Sequence, residues 1–376
     1  NNYAVVTHTA SGNIAKATLD LQAASDSRTY NGTVASNGTV NVSGLFGTDK
    51  VTGLSQSFDS RNAGSRDLLV NSGYVVDDGN GGNNYAVVTH TASGNIAKAT
   101  LNLQAATDNR TYDGTTNSKG AVTHTGLVAG DSVTGLSQSF DSRNAGSRDL
   151  SVDAGYVVND GNGGDNYVVV ANKASGTINK ANLTLQAATD SRTYDGTTNS
   201  AQQVIVTGLM GNDALTNLSQ SFDSRNAGSR DLSVDAGYVV NDGNGGDNYD
   251  VTVLAPAQGS ITKATLNLQA ATDNRTYDGT TQSNQAVLVT GLVTGDKLKG
   301  LSQSFDSRNA GSRDLLVNSG YVIDDGNGGN NYDVVIHKAS GNIAKAKLDA
   351  VTGIGALDRA YNGLLGVDLD YSQARI

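Results

Sequence analysis

Between residues 99 and 180 apolar and polar positions alternate in short runs. Leu101 and Leu103 alternate with Asn102 and Gln104, Leu136, Gln138 and Phe140 share one side against Ser137 and Ser139, and Leu150, Val152, Ala154 and Tyr156 keep a period of two. That period puts successive side chains on opposite faces of a strand. Turn signals separate the runs: Tyr112-Asp113-Gly114, Gly130-Asp131, Asn144-Ala145-Gly146 and Ser175-Gly176. The Gly- and Asn-rich stretch Asn159 to Asn166 predicts a hairpin loop with φ > 0 positions, and Tyr167 to Val170 its return strand. A short strand is expected around Val122. No window carries a 3.6-residue period. Six or seven short strands at this spacing predict a small β-sandwich or barrel.

The same pattern recurs along the chain. SFDSRNAGSRDL begins at Ser57, Ser139, Ser221 and Ser304, spaced by 82, 82 and 83 residues. The Tyr-Asn/Asp-Gly marker recurs at Tyr30, Tyr112, Tyr194, Tyr277 and, diverged, Tyr361. A third marker, DGNGG followed by Asn or Asp, starts at Asp78, Asp160, Asp242 and Asp325. The chain therefore reads as the end of one repeat (1–16), four complete repeats (17–98, 99–180, 181–263, 264–345) and the start of a diverged fifth (346–376). Ile178 runs through Lys180 into Leu183 with no Pro/Ser-rich linker, which predicts stiff junctions and an elongated rod of tandem, Ig-like β-sandwich repeats. The alternative all-β architecture is a β-solenoid, but the three markers do not resemble one another, so the shorter internal period of a solenoid is missing. A unit of 82 residues buries only about 60–65% of its unfolded surface, so neighbouring repeats are expected to support one another.

Composition agrees with strands and turns. Gly contributes 46 of 376 residues, and all 36 acidic residues are Asp, with no Glu. Asp competes locally for backbone hydrogen bonds and favours turns and caps, whereas Glu propagates helices. The absence of Cys excludes disulfides and Cys-ligated metal centres. A net charge of −10 argues against nucleic acid as a partner, and no apolar run approaches the roughly 20 residues of a membrane span.

Candidate chemistry is sparse. Three of the four histidines (His8, His90 and His337) share one repeat position that other copies fill with Asn172 or Ala255-Pro256, so a catalytic role is not expected. GNGG lacks the Lys-Ser/Thr of a phosphate loop, and no Gly-x-Ser-x-Gly elbow is paired with a consistent His. Oxygen ligands on a Gly-rich loop make calcium the one candidate cofactor, with Asp160, Asn162 and Asp165 in one copy and Asp242, Asn244 and Asp247 in the next. Missing Glu and the exchange of Asp165 for Asn83 or Asn330 in other copies weigh against it. Arg143 and Arg148 sit near Asp141 and Asp149 and are expected to form surface ion pairs, each contributing about 0–1 kcal/mol.

Taken in order, RTYDGTT, GL-x-x-GD, SFDSRNAGSRDL, Asn-Tyr and a closing G-x-I-x-K-A resemble the YDG-type repeat of filamentous-haemagglutinin-like proteins, which are large bacterial adhesins, many exported by the two-partner route. The resemblance covers nearly the whole chain. It implies a secreted or cell-surface setting and a role in adhesion or biofilm, with no known ligand site within the repeat; enzymatic activity is not expected, because no acid–base pair recurs from repeat to repeat. Two functions follow as expectations: a stalk that projects a functional tip, with neighbouring repeats of the same chain as partners, or a multivalent binder of surface or biofilm polysaccharide or of a host surface.

Overall fold

Leu19 and Leu21 face inward from a strand whose Thr18 and Asp20 face out, and a Gly- or Asn-containing turn follows each short apolar run. The computed structural model turns that alternation into an all-β chain, with no helix among the described residues. It describes residues 2–349 and 351–375. Asn1, in the expected partial first repeat, and Ala350 and Ile376, in the diverged fifth, lie outside the described residues.

The first complete repeat has nine strands: β1 (Ala17–Gln22), β2 (Ser27–Thr29), β3 (Asn41–Ser43), β4 (Lys50–Thr52), β5 (Gln56–Phe58), β6 (Gly64–Val70), β7 (Val75–Asp77), β8 (Tyr85–His90) and β9 (Ala92–Ala97). They form a three-stranded sheet in the order β3-β1-β8, a four-stranded sheet in the order β2-β9-β6-β5, and a two-stranded ribbon β4-β7. The first and last strand runs each serve both sheets. β1 pairs parallel with β8, and after a short break β2 pairs parallel with β9. Parallel neighbours need a long connection, and here the rest of the repeat is that connection. The arrangement is a β-sandwich, and the strand count exceeds the six or seven expected because both end runs break in two.

Inside lie Leu19 and Leu21 from β1, Phe58 from β5, Leu68 from β6 and Ile96 from β9, all essentially without solvent contact. Arg28 lies over the Phe58 ring at 5.0 Å. Gln56 is buried too, and its amide replaces a missing ladder: it accepts from the Ala24 N–H at 2.8 Å and donates to the Ala24 carbonyl at 2.7 Å. The same residues and sheets recur in the next repeat, for example Ala99–Gln104 between Thr123–Thr125 and Tyr167–Asn172.

One loop departs from expectation. Asp160–Asn166 does not close a hairpin. The strand before it, Val157–Asn159, pairs with Ser132–Thr134 in the ribbon, whereas the strand after it, Tyr167–Asn172, pairs parallel with Ala99–Gln104. The loop thus carries the chain from ribbon to sheet. Gly161, Gly163 and Gly164 take its positive φ values of 78°, 67° and 88°, a region open to Gly at little cost.

Contacts divide the chain into two compact units. The first takes residues up to Ala181 with Met210–Asp213 and Asp242–Asp250; the second takes Asn182–Leu209, Ala214–Asn241 and the chain from Val251 onward. In the first unit one hydrophobic cluster runs from Tyr30, Phe58, Leu68 and Ile96 of one repeat into Leu101, Leu103, Val158 and Tyr167 of the next. In the second unit the corresponding cluster runs from Tyr194, Phe222, Leu232 and Ile261 into Leu266, Leu268 and Tyr332. A single residue, Lys98 or Lys263, separates the last strand of one repeat from the first strand of the next. Consecutive repeats within a unit therefore share a core.

Candidate functional site: the joint between repeats

Apart from the Gln56-type glutamines and the Asp190-type aspartates inside each repeat, the buried polar residues lie where one repeat meets the next. In the first unit Asp131, from the Gly-Asp turn, has a side chain only 1% exposed. Its Oδ2 accepts from the Tyr167 hydroxyl of its own repeat at 2.7 Å and from the Tyr30 hydroxyl of the preceding repeat at 3.0 Å. Its Oδ1 lies 3.8 Å from the Arg61 guanidinium, also from the preceding repeat. The two tyrosine rings meet edge to face, 5.6 Å between centroids and 76° between planes, a geometry the ring quadrupoles favour. The Tyr167 oxygen also accepts from the Val128 N–H at 2.9 Å.

A second set of bonds lies beside the first. The Arg61 guanidinium donates to the Asp160 carbonyl, the Ala63 N–H donates to Asn166 Oδ1 at 2.8 Å, and Asn166 Nδ2 donates to Asn62 Oδ1 at 3.4 Å. The backbone adds a bond on each side of Lys98, from the Tyr30 N–H to the Ala97 carbonyl and from the Ala99 N–H to the Asn166 carbonyl, both 2.9 Å. Each neutral bond is worth about 1 kcal/mol net. Their weight comes from number and from the cost of leaving any of these buried groups unpaired.

The joint is repeated. The first unit holds Tyr112, Arg143, Ala145, Asp213, Asn248 and Tyr249 in the same roles, with Tyr112 and Tyr249 donating to Asp213 at 2.8 and 2.7 Å. In the second unit Tyr194 and Tyr332 donate to Asp296 at 2.9 and 2.6 Å, Arg225 reaches Asp296 at 3.3 Å and the Asp325 carbonyl at 2.5 Å, and the Ala227 N–H donates to Asn331 Oδ1 at 2.8 Å. Burial, reinforced by the hydrogen bond to a carboxylate, pushes the Tyr112, Tyr167 and Tyr194 phenols up to about 12. Tyr249 and Tyr332 shift in the same direction for the same reason.

This geometry corrects the expectation for the arginines. Arg143 does not pair with Asp141 or Asp149 on its own surface; it crosses to Asp213 and to the Asp242 carbonyl. Arg148 braces its own turn, donating to the Asn144 and Ala145 carbonyls at 2.8 and 3.0 Å. Asp149 pairs instead with Lys173 at 3.2 Å.

The candidate calcium ligands also take other roles. Asp160 Oδ1 accepts from the Asn162 and Gly164 N–H groups, both at 2.8 Å, and its Oδ2 from the Asn166 N–H at 3.1 Å. Asn162 donates its amide to Asn166 Oδ1 at 3.2 Å, and Asp165 turns out to Lys98 at 3.5 Å. Asp242, Asn244 and Asp247 repeat this arrangement, with Asp247 facing Lys180 at 3.8 Å. N–H donors bond both oxygens of the carboxylate, so the loop satisfies this anion internally. Among the described residues no group of three or more Asp or His side chains is placed to hold a metal ion. Burial alone would raise the Asp160 carboxyl; the three N–H groups outweigh it and hold the carboxyl below its ordinary value.

Sequence reasoning took the Gly-Asp pair as a turn and missed Asp131, Asp213 and Asp296. One signal was available. The number of residues between Gly and Asp changes from copy to copy, as in Gly47-Thr48-Asp49 and Gly130-Asp131, yet the Asp stays Asp. A residue needed only for a turn has no reason to survive that change.

The YDG domain family matches residues 15–93, 97–176, 179–258 and 262–341. The chain belongs to the YDG domain family. No curated protein matches it. Among solved structures, Drosophila N-cadherin EC1-4 is similar at 10% identity over 90% of this chain and 94% of that one, with a TM-score of 0.20. A structure described as the structural basis for Dscam isoform specificity is similar at 8% identity over 87% of this chain and 98% of that one, with a TM-score of 0.17. Scores this low carry no argument, and the fold of the YDG repeats rests on their own geometry.

Proposed function

We propose that these YDG repeats are a structural stalk or spacer of a large secreted or cell-surface bacterial adhesin of the filamentous-haemagglutinin-like kind, exported by the two-partner route and projecting a functional tip. The observation that carries this reading is the joint: the same Tyr-Asp-Tyr-Arg set and the same Asn bridge recur with nearly unchanged geometry. A spacer has to transmit force and position from one repeat to the next, and buried, hydrogen-bonded groups of this chain recur at that joint. No Cys is needed to stiffen such a chain.

Small-angle scattering of the whole chain tests the reading. Wild type is expected to keep one maximum dimension across conditions. Replacing Arg61, Arg143 and Arg225 together by Ala should broaden the distance distribution while circular dichroism stays β-rich. If wild type is already as flexible as the triple variant, the stalk reading is wrong. Retention of the wild-type chain on immobilised exopolysaccharide would favour a multivalent binder instead.

A further inference from the structure

Away from the joint, each repeat buries a glutamine beside a serine and an aspartate. In the first repeat Gln56 Oε1 accepts from the Ala24 N–H at 2.8 Å, and Gln56 Nε2 donates to the Ala24 carbonyl at 2.7 Å and to Ser36 Oγ at 3.0 Å. The Ser36 hydroxyl in turn donates to Asp26 Oδ2 at 2.6 Å, and its oxygen also accepts from the Gly38 N–H at 3.1 Å. Ser36 lies between β2 and β3, and Gln56 is on β5, 20 residues further on.

The set recurs in the other three repeats. Ser118, Ser200 and Ser283 donate to Asp108, Asp190 and Asp273, each at 2.7 Å. They accept from the amides of Gln138, Gln220 and Gln303 at 2.8, 2.9 and 2.9 Å. The matching N–H groups of Ala106, Ala188 and Ala271 bond the amide oxygens at 2.6, 2.7 and 2.7 Å. All four glutamines are buried. Any acceptor would satisfy the second amide hydrogen. A hydroxyl with a carboxylate behind it is also a nucleophile within hydrogen-bond reach of its base.

We propose that Ser36 and Gln56, and the matching pair in each other repeat, join as an intramolecular ester with release of ammonia. Asp26 takes the hydroxyl proton as Ser36 Oγ bonds to Gln56 Cδ. A small turn of the amide presents that carbon to the oxygen, which already touches the nitrogen it displaces. The Ala24 N–H faces the charge that develops on Oε1, the role of an oxyanion-hole donor. The Cδ–Nε2 bond then breaks, and the nitrogen leaves as ammonia with the proton that Asp26 held. One hydroxyl and one carboxamide give one ester and one ammonia, with no oxidant or co-reactant. The reaction is a single turnover of the chain on itself. Its product ties β5 to the segment between β2 and β3, a cross-link open to a chain without Cys.

Intact mass of the folded wild-type chain, taken after denaturation, reads the link directly. It should fall short of the sequence mass by one ammonia per complete repeat. Trypsin cuts after Arg28, Lys50 and Arg61, so peptides 29–50 and 51–61 should be recovered joined. Brief mild alkali, which hydrolyses esters and spares amides, should separate them and leave Glu in place of Gln56. Ser36→Ala should restore the mass of one ammonia and leave the other three repeats linked. Asp26→Asn, which keeps the shape and removes the base, should do the same. A wild-type chain at its full sequence mass overturns the proposal and leaves the set as a hydrogen-bonded clasp. So does a deficit that Ser36→Ala does not change, because that ammonia was lost elsewhere, as at an Asn-Gly turn.

Discussion

Asp131 is an acceptor for two tyrosine hydroxyls and lies beside one guanidinium, and it receives them from two repeats. At the residue scale this makes the phenols the pH-sensitive part of the joint. Tyr112 has its phenol pushed up from 10.0 to about 12, first by burial and then by its bond to Asp213. A raised folded value means that the neutral phenol is favoured in the folded state. The associated stability is complete below about pH 10 and is lost as pH rises toward 12. Denaturant titrations between these values should show a fall that Tyr112→Phe makes shallower, because the variant has no proton to lose. Equal slopes in the two proteins would remove the phenol from the joint's energetics.

At the scale of the element, two features carry predictions. The Asp160 loop depends on one carboxylate satisfying three N–H groups. Its folded pKa lies below the ordinary 3.8, so it stabilises above that value and the contribution disappears as pH falls through the lowered folded value. Asp160→Asn should cost about 1–3 kcal/mol near neutral pH, since one acceptor oxygen becomes an NH₂ group facing a buried donor. The variant should also lose part of the acid-side slope, as read by urea unfolding at several pH values. On β9, Gly94 is crowded by side chains of its own sheet, from β5 and β6, and by the turn before β2. A Cβ there would lie 2.8 Å from the Asp26 carbonyl oxygen, 2.8 Å from Phe58 and 2.9 Å from Leu68. Its φ is ordinary, so the constraint is space alone. Gly94→Ala should cost about 1–3 kcal/mol by overpacking, measured as a lower Tm, whereas Ala at the open Gly12 should cost nothing of that kind.

For the whole molecule the shared cores matter most. Each cluster crosses from one repeat into the next within its unit, so stability is expected to be a sum of repeat terms and neighbour terms. Substituting Arg61 should therefore broaden the unfolding transition of the entire chain more than it lowers its midpoint, as calorimetry would read it. Because donors encircle the Asp160 and Asp242 carboxylates, a chelator should leave both midpoint and width unchanged; a clear drop in Tm with chelator would contradict the internally satisfied loop.

The strand alternation of Leu101 and Leu103, the turn residues and the spacing of SFDSRNAGSRDL determined the all-β class, the tandem repeats and the inward faces, because period and turn chemistry act locally along the chain. What the alternation left open was pairing. That the end runs split between two sheets, and that Asp160–Asn166 bridges ribbon and sheet instead of closing a hairpin, depends on which distant strand each edge meets. The joint was hidden for the same reason. Asp131 and Tyr30 are separated by 101 residues, and Arg61 lies closer in sequence to its own Asp59 and Asp67 than to Asp131. Local reading assigns such a guanidinium to its neighbours. Only packing of one repeat on the next removes water from around Asp131, and that loss of solvent makes a distant phenol and guanidinium its partners.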